Sequence, residues 1–249
     1  MCTILFGWYP GTAVPIVLAA NRDELRSRPS DPPRRLTDEP ELWGGQDRVA
    51  GGTWLAVDRA GRLCAVTNRH LRAAKVERDA ARKSRGELPV RVLGAGDDRQ
   101  VRRLLDSLDA TAYNPVNVLY LAPDSAYCVS IDDENGARMQ TVSPGVHALT
   151  VVDFDDENDA KTARLLGQAR AIATEREQTA HPDVVREQLA EILRSHDVDG
   201  GMPHNAACIH GLEYGTVSSA TVTITTGEVD FRFADGPPCV TSYLPIHIG

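Results

Sequence analysis

Residues 1–6 read M-C-T-I-L-F, and residues 18–24 read L-A-A-N-R-D-E. The first run, continued to Tyr9, is apolar and short; so is the run from Val14 to Ala20. Pro10-Gly11-Thr12 between them is a turn signal, so the chain is predicted to open with two strands, 2–9 and 14–20. The cysteine at position 2 then admits two readings. It is a small hydrophobe on the first strand, or, once Met1 is removed, a nucleophile that carries its own free amine. Reference pKa values of about 7.7–8 for the amine and about 8.5 for the thiol let the amine take the thiol proton with little mismatch. A cation nearby would lower the thiol pKa further.

Working outward, the Pro/Arg/Asp-rich run from Arg26 to Pro40 predicts a loop. T-W-L-A-V-D, the turn R-A-G-R and L-C-A-V-T-N predict a hairpin after Gly51-Gly52. Residues 98–108 predict a helix, V-N-V-L-Y-L-A and A-Y-C-V-S-I two strands, and Met139–Thr150 another hairpin. Ala163, Leu166, Ala169, Ile172 and Ala173 recur at helical spacing and predict a helix over 158–177. Val185, Leu189, Ile192 and Leu193 predict a second over 182–195, with Pro182 in its first turn. A-A-C-I-H, T-V-T-I-T and V-D-F-R-F predict closing strands. Strands, a helical pair and strands again imply α+β layers rather than βαβ winding. With no internal repeat or linker, 1–249 reads as one domain.

The chain has 249 residues and a formal net charge of −8. Nothing in that balance attracts nucleic acid. The most basic run, R-A-A-K-V-E-R-D-A-A-R-K-S-R at 72–85, is interrupted by acids and predicts a solvated helix face or loop. Five cysteines without C-x-x-C spacing argue for a reducing compartment, hence the cytoplasm. No signal peptide and no run of roughly 20 apolar residues is present, so no membrane span is expected. The sequence assigns no oligomeric state.

Several motifs dissolve on inspection. V-V-D-F-D-D-E-N-D-A-K lacks the Gly and Glu of a calcium loop, and its acids are better read as helix capping. Cys208-Ile209-His210 has no second ligand pair at zinc-like spacing, so no metal is expected. G-G-Q-D-R-V-A-G-G lacks a phosphate-loop lysine and reads as turns. No G-x-S-x-G occurs. The candidate carboxylates for orienting the Cys2 amine are Asp23 and Glu24; strand alternation puts Asn21 and Asp23 on one face, Arg22 and Glu24 on the other. Asn68, a carboxamide closing L-C-A-V-T, is either an oxyanion donor or a turn residue.

Taken in order, M-C-T-I, L-A-A-N-R-D-E, W-G-G-Q-D-R-V-A-G-G-T-W-L-A-V-D at 43–58 and G-R-L-C-A-V-T-N-R at 61–69 resemble the NRDE family, also called the transport and Golgi organisation protein 2 family. S-R-G-E-L, Y-N-P-V-N and Y-G-T-V-S-S-A-T-V extend the resemblance more loosely. That family is similar to the cysteine N-terminal nucleophile hydrolases. The resemblance implies a four-layer αββα sandwich, two antiparallel sheets between helical layers. It implies Cys2 as nucleophile after Met1 removal, Asp23 as the residue that orients the amine, Asn68 as oxyanion donor and Arg22 as the positive charge near the thiol, with Asn21 in the same group. The implied substrate is a small molecule with a linear, non-peptide amide, and no cofactor is implied. The chain departs from the hydrolases at Val151, where they carry an asparagine, and from many relatives at Val217, where they carry an arginine. A second function follows from the same resemblance: a non-catalytic carrier with haem or another apolar ligand as cargo, His210 being the candidate axial ligand.

Overall fold

The computed structural model describes residues 2–70, 79–176, 182–198 and 201–248. Its strands, in chain order, are β1 (Cys2–Trp8), β2 (Ile16–Leu25), β3 (Ser30–Asp38), β4 (Glu41–Asp47), β5 (Leu55–Asp58), β6 (Leu63–Asn68), β7 (Val116–Leu121), β8 (Ala126–Asp132), β9 (Gly136–Thr141), β10 (Gly145–Leu149), β11 (Tyr214–Thr225), β12 (Glu228–Ala234) and β13 (Leu244–Ile246). The helices are α1 (Leu88–Leu93), α2 (Asp98–Asp106), α3 (Ala160–Arg176) and α4 (Pro182–Arg194). Every pairing between these strands is antiparallel. One sheet has the order β10-β1-β2-β11-β12-β13, and the other runs β3 to β9 in sequence.

Alternation on β1 and β2 explains the layering. Ile4, Phe6, Trp8, Ile16 and Leu18 meet Leu63, Leu119 and Cys128 of the other sheet in a shared core. Leu5, Val17 and Ala19 point the opposite way, onto Leu165, Leu166, Leu189 and Leu193 of α3 and α4. On the far side, Val118, Tyr120 and Val129 pack against Leu88, Val92, Val101 and Leu105 of α1 and α2. The result is an α+β fold of four layers, helices outside and two stacked sheets within, as the resemblance implied.

Helix ends follow the sequence. Asp97 and Gln100 form a capping box at α2. The Asp159 side chain accepts the Thr162 N–H at 2.9 Å at the start of α3, which accounts for one acid of the run at 153–159.

Elsewhere the structure corrects the expectations. The predicted loop at 26–40 contains β3, an edge strand in which Pro32 and Pro33 fall where the register against β4 shifts between Asp31 and Arg34. Proline is tolerated there because no ladder donor is required. Gly44 and Gly45, read as turn residues, lie within β4. A Cβ on Gly45 would come 2.3 Å from the Trp54 ring, so the glycine makes the seat for that indole. Met139–Thr150 is no hairpin: β9 pairs with β8, whereas β10 pairs with β1 in the other sheet. A-A-C-I-H forms no strand; it meets β11 through a bridge from His210 to Gly215 and a hydrogen bond from the Thr216 N–H to the Ile209 carbonyl at 2.9 Å. β2 runs through N-R-D-E to Leu25 because β11 pairs along it, Tyr214 opposite Leu25. Of the run at 72–85, residues 72–78 lie outside the described residues, and 79–84 form turn and loop ahead of a 3-10 turn at Arg85–Glu87. No helix among the described residues is long and apolar enough to cross a membrane.

Candidate active site

Because β2 is unbroken, its parity holds to the end. Arg22 stands directly opposite Cys2 and Asn21 opposite Thr3. Cys2, Arg22, Asp23 and Asn68 line one cleft at the ends of β1, β2 and β6, under a wall made by Gly52–Trp54 and Lys83–Gly86. Asn21, expected with them, faces the helical layer instead. Its carboxamide donates to the carbonyls of Leu193 and Ala207, each at 2.9 Å, and fastens the end of α4.

The thiol is half-buried. Burial pushes its pKa above the ordinary cysteine range, and the Asp23 carboxylate adds to that; Arg22 and a hydrogen bond from the Asp23 backbone N–H oppose it without prevailing. Arg22 lowers the thiol pKa in the expected direction, and burial raises it by more. A neutral thiol needs a base beside it. Arg22 is 5% exposed; its guanidinium lies 4.5 Å over the Trp54 ring and donates to Ser30 Oγ at 3.2 Å. These contacts hold the charge in place at the thiol.

Asp23 is 1% exposed and held from two sides by β11. Thr216 Oγ1 donates to Asp23 Oδ1 at 2.6 Å, and the Tyr214 hydroxyl donates to the Asp23 carbonyl at 2.9 Å. Burial raises the carboxyl pKa, while Lys161, in the first turn of α3, and the Thr216 hydroxyl pull it down. Lys161 is itself lowered by burial and partly restored by Asp23. Sequence reasoning missed Lys161; its only signal was a position just inside a helix capped by Asp159.

The Asn68 carboxamide makes no hydrogen bond to another described residue, which leaves its N–H groups available to the cleft. Its backbone is fixed by the next residue. Arg69, 5% exposed, pairs with Asp132 at 2.9 Å and Asp153 at 2.7 Å and donates to Asn117 at 3.3 Å. Asn117 in turn donates to the Val152 carbonyl at 2.8 Å. The wall opposite is a crossing of two backbones: a Cβ on Gly52 would sit 2.4 Å from the Gly86 carbonyl carbon. Thr53 N–H donates to the Gly86 carbonyl there at 2.9 Å. The blocks R-V-A-G-G-T-W and S-R-G-E-L therefore meet in space at the cleft.

Residues 1–234 match the family described as Transport and Golgi organisation 2. The chain belongs to that family. The mouse Transport and Golgi organization 2 homolog is 28% identical over 265 residues, covering 93% of this chain and 91% of its own. The human Transport and Golgi organization protein 2 homolog is 28% identical over 266 residues, with the same shares covered. Among solved structures, two variants of the conjugated bile acid hydrolase from Clostridium perfringens superpose with TM-scores of 0.54 and 0.53. They are 8% and 10% identical to this chain and cover 100% of it and 97% of their own. At that identity the likeness speaks for the fold alone, which is structurally similar to that of the N-terminal nucleophile hydrolases. In this member of the Transport and Golgi organisation 2 family, Val217 occupies a bulge of β11 between Thr216 and Ser218. The Val151 carbonyl accepts the His70 N–H at 2.7 Å.

Proposed function

We propose that the protein is a cysteine amidohydrolase that cleaves a linear amide of a small molecule. The observation that supports it is the convergence of Cys2, Asp23 and the unengaged Asn68 carboxamide, with Arg22, on one cleft. After Met1 removal, Cys2 Sγ attacks the amide carbonyl and its own α-amine accepts the thiol proton. Asp23 orients that amine, and Asn68 donates to the developing oxyanion. The amine then protonates the leaving nitrogen, and water cleaves the thioester.

The charge of the cleft favours this over a carrier of haem or another apolar ligand. Arg22, Asp23, Glu24, Arg28, Asp47 and Arg85 all line it. His210, the axial-ligand candidate, faces two cysteine sulfurs outside the cleft.

Two measurements test the proposal. Intact mass of natively produced protein should show Met1 removed; retention of Met1 leaves no free Cys2 amine and defeats the mechanism. A panel of N-acyl amides should be turned over by the wild type and not by Cys2→Ala. Asn68→Ala should lower kcat by roughly 100–1,000-fold, the usual loss for one oxyanion donor.

A further inference from the structure

Four soft donors meet outside the cleft, in segments remote from one another in the chain. His196 follows α4, Cys208 and His210 precede β11, and Cys239 lies between β12 and β13. One ligand atom from each falls within 4.8 Å of all the others. Cys208 Sγ is 3.6 Å from Cys239 Sγ and 3.6 Å from His210 Nε2, which is 3.1 Å from Cys239 Sγ. A tetrahedral zinc ion, with Zn–S near 2.3 Å and Zn–N near 2.0–2.1 Å, sets its ligand atoms about 3.8 Å apart for two sulfurs and about 3.5 Å apart for a sulfur and a nitrogen. The triangle here has almost those edges. His196 supplies the fourth corner, its ring centroid 4.8 Å from that of His210.

We propose that His196, Cys208, His210 and Cys239 bind one tetrahedral Zn²⁺ ion. The supporting contacts suit such a centre. His196 Nδ1 lies 2.9 Å from the Cys208 carbonyl, which fixes the ring and leaves Nε2 for the ion, the usual outer partner of a ligating imidazole. The Cys208 N–H donates to the Ser195 carbonyl at 2.9 Å, so the two ligand-bearing segments are already tied. Two thiolates and two neutral imidazoles around a dication give a neutral cluster, which a half-buried pocket accommodates without an uncompensated charge. Among the described residues no carboxylate joins the cluster, which selects a borderline-soft metal over Ca²⁺ or Mg²⁺.

The ion would join the end of α4, the approach to β11 and the loop after β12. The clamped segment carries Ile209, whose N–H donates to Thr216 Oγ1 at 2.9 Å, the same hydroxyl that holds Asp23. Gly215 permits this closeness: a Cβ there would stand 2.6 Å from the Ile209 carbonyl.

The test is spectroscopic and does not depend on amide turnover. Purified full-length protein, freed of metal by chelation under reductant, is titrated with Co²⁺. Tetrahedral d–d bands and a thiolate-to-cobalt charge-transfer band should saturate at one equivalent and vanish on adding Zn²⁺. Zn²⁺ should also raise Tm. Cys239→Ser should weaken the charge-transfer band and abolish the gain in Tm. His196→Gln, on an exposed side chain, should lower the affinity while the fold, followed by circular dichroism, persists. Cys2→Ser should retain the whole response. Weak octahedral bands without charge transfer would overturn the proposal. So would a response lost in Cys2→Ser and kept in Cys239→Ser, or a Cys208–Cys239 disulfide in protein held under reductant.

Discussion

Arg22, within β2, and Arg69, just past β6, are both buried arginines, and they act differently. Arg22 lends its charge to a thiol whose burial works against ionisation. Arg22→Gln should therefore slow iodoacetamide labelling of Cys2 at a fixed pH and move its labelling profile to higher pH. Peptide mapping with Cys64 as internal reference measures this; Cys64 lies in a dry core where burial alone raises its pKa. Arg69 serves as an anchor. Burial alone would push Asp132 up, but the Asn135 backbone N–H and then Arg69 hold its carboxyl below the usual carboxylate value. A depressed native pKa means that this contribution is complete above the unfolded value of about 3.9 and is lost as pH falls through the native one. Asp132→Asn should cost about 1.5–3 kcal/mol at neutral pH, because Arg69 loses its buried charged partner while it keeps Asp153. The same variant should flatten the acid limb of the stability curve, as urea titrations at several pH values would show. Cys2, Arg22, Asp23 and Asn68, singled out in the sequence by the motifs that contain them, line one cleft because β1 begins, β2 nears its end and β6 closes there. Lys161 was not legible in the sequence, since nothing local ties a helix's first turn to a strand end far earlier in the chain. The His/Cys cluster was hidden for a related reason: its ligands come from loops at separations of 12, 2 and 29 residues.

The elements most easily misread were those whose chemistry is set by a neighbour. β4 carries two glycines because Trp54 and the Leu55 carbonyl occupy the space a Cβ would need. β3 carries prolines because it is an edge. Met139–Thr150 reads as a hairpin locally, yet its two strands belong to different sheets, a choice made by the core on each side. Strands that are near-continuous apolar runs, such as β5 through β8, were legible because both of their faces are covered by apolar layers. The backbone crossing at Gly52 and Gly86 yields a prediction of its own. Gly52→Ala forces contact with backbone atoms at 2.4–2.6 Å, whereas Gly86→Ala meets its neighbours at 3.1–3.2 Å. Gly52→Ala should cost about 1–3 kcal/mol, the range for overpacking, and Gly86→Ala less. Urea denaturation gives the order; equal costs would mean that the loops yield freely.

For the whole molecule, what matters is that Cys2 and Asn68 belong to different sheets, so the core between the sheets sets their spacing. Phe6→Ala, within that core, should cost about 3–5 kcal/mol. It should also lower kcat for the proposed reaction at a temperature where the protein remains folded. Leu105→Ala, in the outer helical layer, should cost about 2–5 kcal/mol and leave kcat nearly unchanged. The hydrogen bond from Thr216 to Asp23 reaches across 193 positions of the chain. At a synthesis rate of about 5–20 residues per second, the Asp23 carboxylate waits on the order of 10–40 s for its partner to leave the ribosome. During that interval the opening thiol stands beside an unsupported acid, without the second half of its own sheet. A growing chain therefore presents Cys2 to the cell long before it can use it, and the completed protein is the first form in which the residue's neighbours are all present.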